Sequence, residues 1–143
     1  MFALDTNTLI YFFKESGQVA DRLLATAPSD IAIPAIVVYE IETGIAKSRD
    51  PAKRRGQFDQ LLDLLNILPF DQAAANKAAT IRAVLEDTGQ PIGPLDTLIA
   101  GTALACDATL VTRNLREFGR VPNLSVVNWF DRPDRVSTKC TPY

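Results

Sequence analysis

The chain contains no histidine. That removes the commonest general acid–base and the commonest nitrogen ligand for zinc or copper. Catalysis, if there is any, must rest on carboxylates, hydroxyls, amines or a metal held by oxygen. Three carboxylates stand where such chemistry would need them. Asp5 closes the apolar run MFAL, and no other charged side chain precedes Lys14. An Asp there serves as an N-cap for the following helix, or as an acid outside the carboxyl end of a strand, where open α/β sheets bind ligands. The two roles are compatible.

Glu40 and Glu42 fall in IVVYEIETG. On a helical wheel Ile36, Val37, Val38, Ile41 and Ile45 centre on one face, with Glu40 roughly 60–80° from that centre and Glu42 well over 100° away. Glu42 is therefore read as a solvated acid. Glu40 lies at the flank of the core, beside the space left by Gly44; the plainer alternative is a boundary Glu reaching to solvent. Asp96, in IGPLDTLIAGTALA, shares a face with Ile99, Ala100 and Ala103. It could be a first-turn acid favoured by the helix dipole after Pro94. The small Gly101 and Ala103 admit close approach and favour a site.

Three inward carboxylates raise one another's pKa unless something offsets them. With no histidine, the expected compensation is a hard divalent cation, Mg²⁺ or Mn²⁺, held by a few carboxylates and water. Such centres act on phosphates.

The elements that must position these acids are short strands alternating with helices. Strands are expected at 1–4, 31–33, 67–70, 109–112 and 124–129. Helices are expected at 6–14, 17–27, from Pro34 to Ser48, from Pro51 through the one-sided stripe of Phe58, Leu61, Leu62, Leu64 and Leu65, and at 71–89 and 93–107. Residues 114–119 read as a turn or short helix. This alternation implies one α/β domain with a mostly parallel sheet covered on both sides. A polar tail, 131–143, is expected to be flexible.

Composition narrows the class. At 143 residues, 47% apolar, the chain can build a core without disulfides. Cys106 sits in an apolar helical pattern and Cys140 in the tail, so a reducing, cytoplasmic setting is expected. The start has no basic leader, and no apolar run approaches the ~20 residues of a membrane span. A net charge of −2 argues against holding nucleic acid by bulk positive charge, but not against local basic patches. Two such patches are Lys47, Arg49, Lys53, Arg54 and Arg55, and Arg113, Arg116 and Arg120. The first could equally be a solvated run paired with nearby acids.

Four stretches, LDTNTLIYF, AIVVYEIETGIAKS, IGPLDTLIAGTAL and LVTRNLREFGRVPNLSVVNW, resemble in order and spacing the PIN-domain ribonucleases. More narrowly, they resemble the VapC toxins of bacterial VapBC toxin–antitoxin systems. The resemblance covers about residues 1–130. It implies a three-layer α/β/α sandwich and a Mg²⁺ or Mn²⁺ site in which Asp5, Glu40 and Asp96 match the family's first three acids. Asn114 stands where many members carry a further acid, and its carbonyl can position a water. Glu117 is implied as a candidate for the fourth carboxylate, and Thr6, Asn7 and Thr112 as supporting hydrogen-bonders. The implied activity is in-line attack by a metal-activated water on an RNA phosphodiester, tRNA above all, leaving a 5′-phosphate and a 3′-hydroxyl. The implied partners are a VapB antitoxin lying over the active-site groove and a second copy in a homodimer. Apolar residues in 11–13 and 57–68 could make such contacts, although most suit the core.

Two other readings compete. A haloacid-dehalogenase-like phosphatase also places an Asp after its first strand, but wants a second acid two residues on, where this chain has Asn7, and a late lysine absent between Ala105 and Ser125. A degenerate PIN domain would bind RNA or protein without cleaving, which the intact Asp5, Glu40 and Asp96 argue against.

Overall fold

A computed structural model describes residues 1–133. From residue 134 on, the tail expected to be flexible lies outside the described residues, Cys140 included. Five strands, β1 (Phe2–Leu4), β2 (Ile31–Pro34), β3 (Asn66–Leu68), β4 (Thr109–Val111) and β5 (Val126–Val127), form one sheet in the order β3-β2-β1-β4-β5. Every pairing is parallel. The helices are α1 (Thr6–Phe13), α2 (Val19–Leu24), α3 (Ala35–Ala46), α4 (Pro51–Leu64), α5 (Gln72–Asp87), α6 (Pro94–Ala105) and α7 (Leu115–Phe118).

Strands β1, β2 and β4 are short continuous apolar runs because both faces of a parallel sheet are covered. Leu4, Ile33, Leu110 and Val111 are fully buried, with Leu9, Val37, Phe58, Ile99 and Phe118 packed around them. The chain steps one way through β1, β2 and β3, then returns to place β4 on the other side of β1. Right-handed crossovers lay α1–α4 on one face and α5–α7 on the other, giving the α/β/α sandwich. The direction of winding reverses between β1 and β4. In such sheets this switch point opens a crevice at the carboxyl ends of the strands.

Element boundaries differ from expectation for local reasons. The third strand lies at 66–68, not 67–70, since Pro69 has no N–H to continue a ladder. The last strand shrinks to two residues, because three-residue β4 offers partners only at Leu110 and Val111. Helix α2 is shorter than 17–27, and a 3₁₀ turn, Pro28–Asp30, follows it. Cys106 is not in the apolar pattern but caps the end of α6, exposed. Gly101 serves packing rather than a site. A Cβ there would lie 2.7 Å from the Cβ and the backbone N of Ala78, so α5 and α6 meet backbone to backbone.

Candidate active site

Asp5 leaves β1 with extended backbone (φ −81°, ψ 172°) and caps α1, its Oδ1 accepting the Thr8 N–H at 2.8 Å. Its own N–H donates to the Val111 carbonyl at 3.1 Å, and the Thr8 hydroxyl donates to the same oxygen at 3.0 Å. The end of β1 is thus pinned to the end of β4 across the switch point. Only 6% of Asp5 is exposed. Burial pushes its carboxyl up, the Thr8 and Thr112 side chains pull it back, and the charge of Glu40 adds to the rise. Cap and cleft acid are here one residue.

Glu40 projects from α3 toward α1, where the Thr6 hydroxyl donates to its Oε1 at 2.6 Å. The helical phase that separated it from Glu42 is therefore realised in contacts. Glu42, expected in plain solvent, instead forms an ion pair with Arg55 of α4. Both partners are about 40% exposed, so the pair contributes little beyond orienting α4 on α3.

Asp96 sits in the first turn of α6, partly buried, with Gly93 close beside its carboxylate. Its pKa is pushed up to about 6, first by burial and then by the charges of Glu40, Asp5 and Glu117. Four acids from four segments thus repel one another across one crevice. Asn114 caps α7, its Oδ1 accepting the Glu117 N–H at 3.4 Å, and its own N–H donates to the Thr112 hydroxyl at 3.0 Å. Fully buried Thr112 ties this loop to Asp5. Asn7 faces solvent and joins none of these contacts.

The donor set is oxygen alone, and among the described residues no basic side chain offsets the acids: the charges felt by Asp5 and Asp96 are all negative. Among the described residues no three acids close into a ready-made cage. Open, repelling carboxylates suit a hard cation that keeps several of its waters, so the residues fit Mg²⁺ or Mn²⁺.

The repulsion has a measurable sign. Asp96 titrates in the folded protein above its ordinary 3.8, so the cation-free fold binds this proton more tightly than the unfolded chain does. Stability of the chelated protein is expected to be greater near pH 5 than near pH 7.5, declining as pH rises through about 6. The difference is on the order of 1–2 kcal/mol after allowance for solvent screening. Urea denaturation in chelator at the two pH values measures it, and lower stability at the acidic value would contradict the repulsion.

The basic residues divide. Arg55 holds Glu42 and Asp59, and Arg54 donates to Gln57 and lies over the Phe13 ring, so these two members of the first cluster are structural. Lys47, Arg49 and Lys53 are exposed. Arg120 reaches the Pro91 carbonyl, and Arg116 is exposed. Of the apolar candidates, Phe13, Phe58, Leu61 and Leu65 are core, while Leu64 and Ile67 are exposed. Sequence reasoning missed Thr8, whose place three residues after a capping Asp was a usable signal. It also missed the packing of Phe130, which nothing local announced.

Comparison with known proteins agrees with this architecture. The PIN domain family matches residues 2–124. Ribonuclease VapC2 of Rickettsia felis is 37% identical over 131 residues, covering 90% of this chain and 98% of its own. The tRNA(fMet)-specific endonuclease VapC of Salmonella typhimurium is 34% identical over 128 residues, covering 90% and 97%. The crystal structure of VapBC2 from Rickettsia felis bound to a promoter DNA fragment superposes with a TM-score of 0.83 at 36% identity, covering 90% of this chain and 98% of that one. No phosphatase reading is favoured. With its acids gathered at the switch point of a sheet shared with these proteins, the chain belongs to the PIN-domain family, among its VapC ribonuclease toxins.

Proposed function

We propose that the protein is a Mg²⁺- or Mn²⁺-dependent endoribonuclease in which Asp5, Glu40 and Asp96 hold the cation, directly or through water. The observation that carries this is the unbalanced charge of these acids, with no basic side chain among the described residues to offset it. Divalent-metal dependence is also general among PIN-domain ribonucleases. When bound, the cation supplies an activated water and neutralises charge on the phosphoryl oxygens during in-line displacement. The chain supplies the geometry. Asp5 is fixed by the Thr8 N–H and Thr112, Glu40 is aimed by the Thr6 hydroxyl, and Asp96 enters from the first turn of α6. Asn114 orders the loop that brings Glu117 to the rim as a fourth acid. Since Asn114 Oδ1 is used in capping α7, Glu117 is the better candidate to complete the site. Cleavage leaves a 5′-phosphate and a 3′-hydroxyl.

We further propose tRNA as the substrate, as the name of the Salmonella relative says of that protein, and a VapB-type antitoxin as partner, as in the VapBC complexes. A homodimer follows from the family resemblance. Among the described residues no helix is long and apolar enough to cross a membrane. The test is to map RNA 5′ ends after brief induction, beside an Asp5→Asn control, and to assay the purified protein with and without chelator. Discrete 5′-phosphate ends in the active protein alone, lost in EDTA and restored by Mg²⁺ or Mn²⁺, are expected. Undiminished cleavage in EDTA would overturn the metal reading.

A further inference from the structure

Arg113 is the residue after Thr112, so its backbone leaves the wall of the acidic crevice. Its guanidinium carbon lies 3.6 Å from the Phe130 ring centroid and 5.7 Å from that of Tyr11, and the two rings are 4.5 Å apart. This seat is unusually well held. The Phe130 carbonyl accepts the Gln18 N–H at 2.8 Å, and its N–H donates to Asn128 Oδ1 at 2.8 Å. Gly17, at φ +63°, lies against the ring where any Cβ would come within 2.6 Å of it. A surface arginine with no task needs no such support.

The charge that meets Arg113 is a poor match by comparison. Asp131 Oδ2 approaches Nε at 3.5 Å, with the two side chains 44% and 54% exposed. That is a single long contact in water, weak and exchangeable. The same Asp131 oxygen accepts the Asn128 amide at 2.7 Å, which fixes it there. Meanwhile Arg113 is absent from the charges that shift Asp5 or Asp96, so it does not neutralise the acids. One residue along the chain from Thr112, it is held flat, charged and oriented on its two rings.

We propose that the Arg113 guanidinium, seated on Phe130 and Tyr11, binds a backbone phosphate of the RNA next to the scissile one, and that Asp131 occupies this position in the free protein as an internal competitor. The inference rests on the ribonuclease reading above. A planar fork held against an aromatic face suits bidentate phosphate contact, and such a contact positions the strand without reading sequence. An incoming phosphate would displace the Asp131 carboxylate from Nε, leaving Asp131 its Asn128 partner.

The test compares wild type, Arg113→Lys, Arg113→Ala and Asp131→Asn on a labelled RNA in Mg²⁺ at several salt concentrations, with thermal melts as a check on folding. Arg113→Lys keeps the charge but loses the stacked fork, and is expected to raise KM about tenfold with the loss concentrated there rather than in kcat. Arg113→Ala should also lower the salt dependence of log KM by about 0.7, one single-strand phosphate contact. Asp131→Asn, which removes the competitor, should lower KM by roughly two- to threefold. A merely structural Arg113–Asp131 pair predicts instead that Arg113→Ala and Asp131→Asn melt earlier and that the salt slope stays put. That result, or an Asp131→Asn variant with unchanged or higher KM, would overturn the proposal while leaving the ribonuclease reading intact. Failure of the wild type to cut RNA would end both.

Discussion

Asp96→Asn is expected to lower RNA cleavage by about 10³-fold or more, on the order of 4 kcal/mol in the barrier, while making the cation-free protein more stable. The two effects have one origin. Asp96 is partly buried among three other acids, and its carboxyl is pushed up to about 6 by that company. Above that pH the fold carries a charge it would rather not hold, and an amide removes it at nearly constant shape. The gain should be a rise of a few degrees in Tm near neutral pH, shrinking to roughly half near pH 5 and vanishing only below 3.8, where wild-type Asp96 is protonated in the folded and the unfolded chain alike. Asp5→Asn should also abolish cleavage, because Asn keeps the cap on α1 but not the charge. Cleavage assays beside melts in chelator at two pH values measure the whole set. An Asp96→Asn protein that is inactive and less stable at neutral pH would mean the carboxylate had a structural partner, contrary to the repulsion argued above.

Gly101→Ala is expected to destabilise the protein by about 2 kcal/mol, against helix propensity, which favours Ala over Gly by about 1 kcal/mol. A new Cβ would press on the backbone N of Ala78 at 2.7 Å and on the carbonyl of Ala74 at 2.9 Å. Neither can turn aside as a flexible side chain would, so α5 and α6 must separate. Since α6 carries Asp96, activity should fall with stability. Gly44→Ala on α3 is the matched control. Nothing lies within 4 Å of a Cβ there, so it should gain roughly 0.5–1 kcal/mol. Denaturation midpoints of the two variants should therefore move in opposite directions. Movement in the same direction would refute the packing account.

Much of this was legible in the residue order, and what was not has a physical reason. Alternating apolar runs and helical stripes sufficed for a parallel α/β domain, because burial of both sheet faces is written locally as continuous Val, Ile and Leu. Helical phase distinguished Glu40 from Glu42, since both lie on one regular element. The same reasoning misjudged Gly101, for a small residue signals close approach without saying of what. It also left Glu42 in solvent, because Arg55 reaches it from another helix. Arg113 and Phe130 are 17 positions apart, and no periodicity relates the end of one strand to a turn after the next.

The hydrogen bond from the Thr8 hydroxyl to Val111 spans 103 residues, and it carries a consequence for synthesis. Asp5 leaves the ribosome well before β4, which must insert beside β1 before Thr112 can reach it, and Glu117 comes later still. A chain stopped short of residue 109 would expose the edge of β1 where β4 belongs, and would hold three of the four acids with no frame to bring them together. On the site proposed above, the centre is therefore assembled late, in a step as slow as non-local pairing usually is. That delay gives a nascent chain, or one reopened along this seam, no competent centre with which to cut the RNA of the cell that is making it.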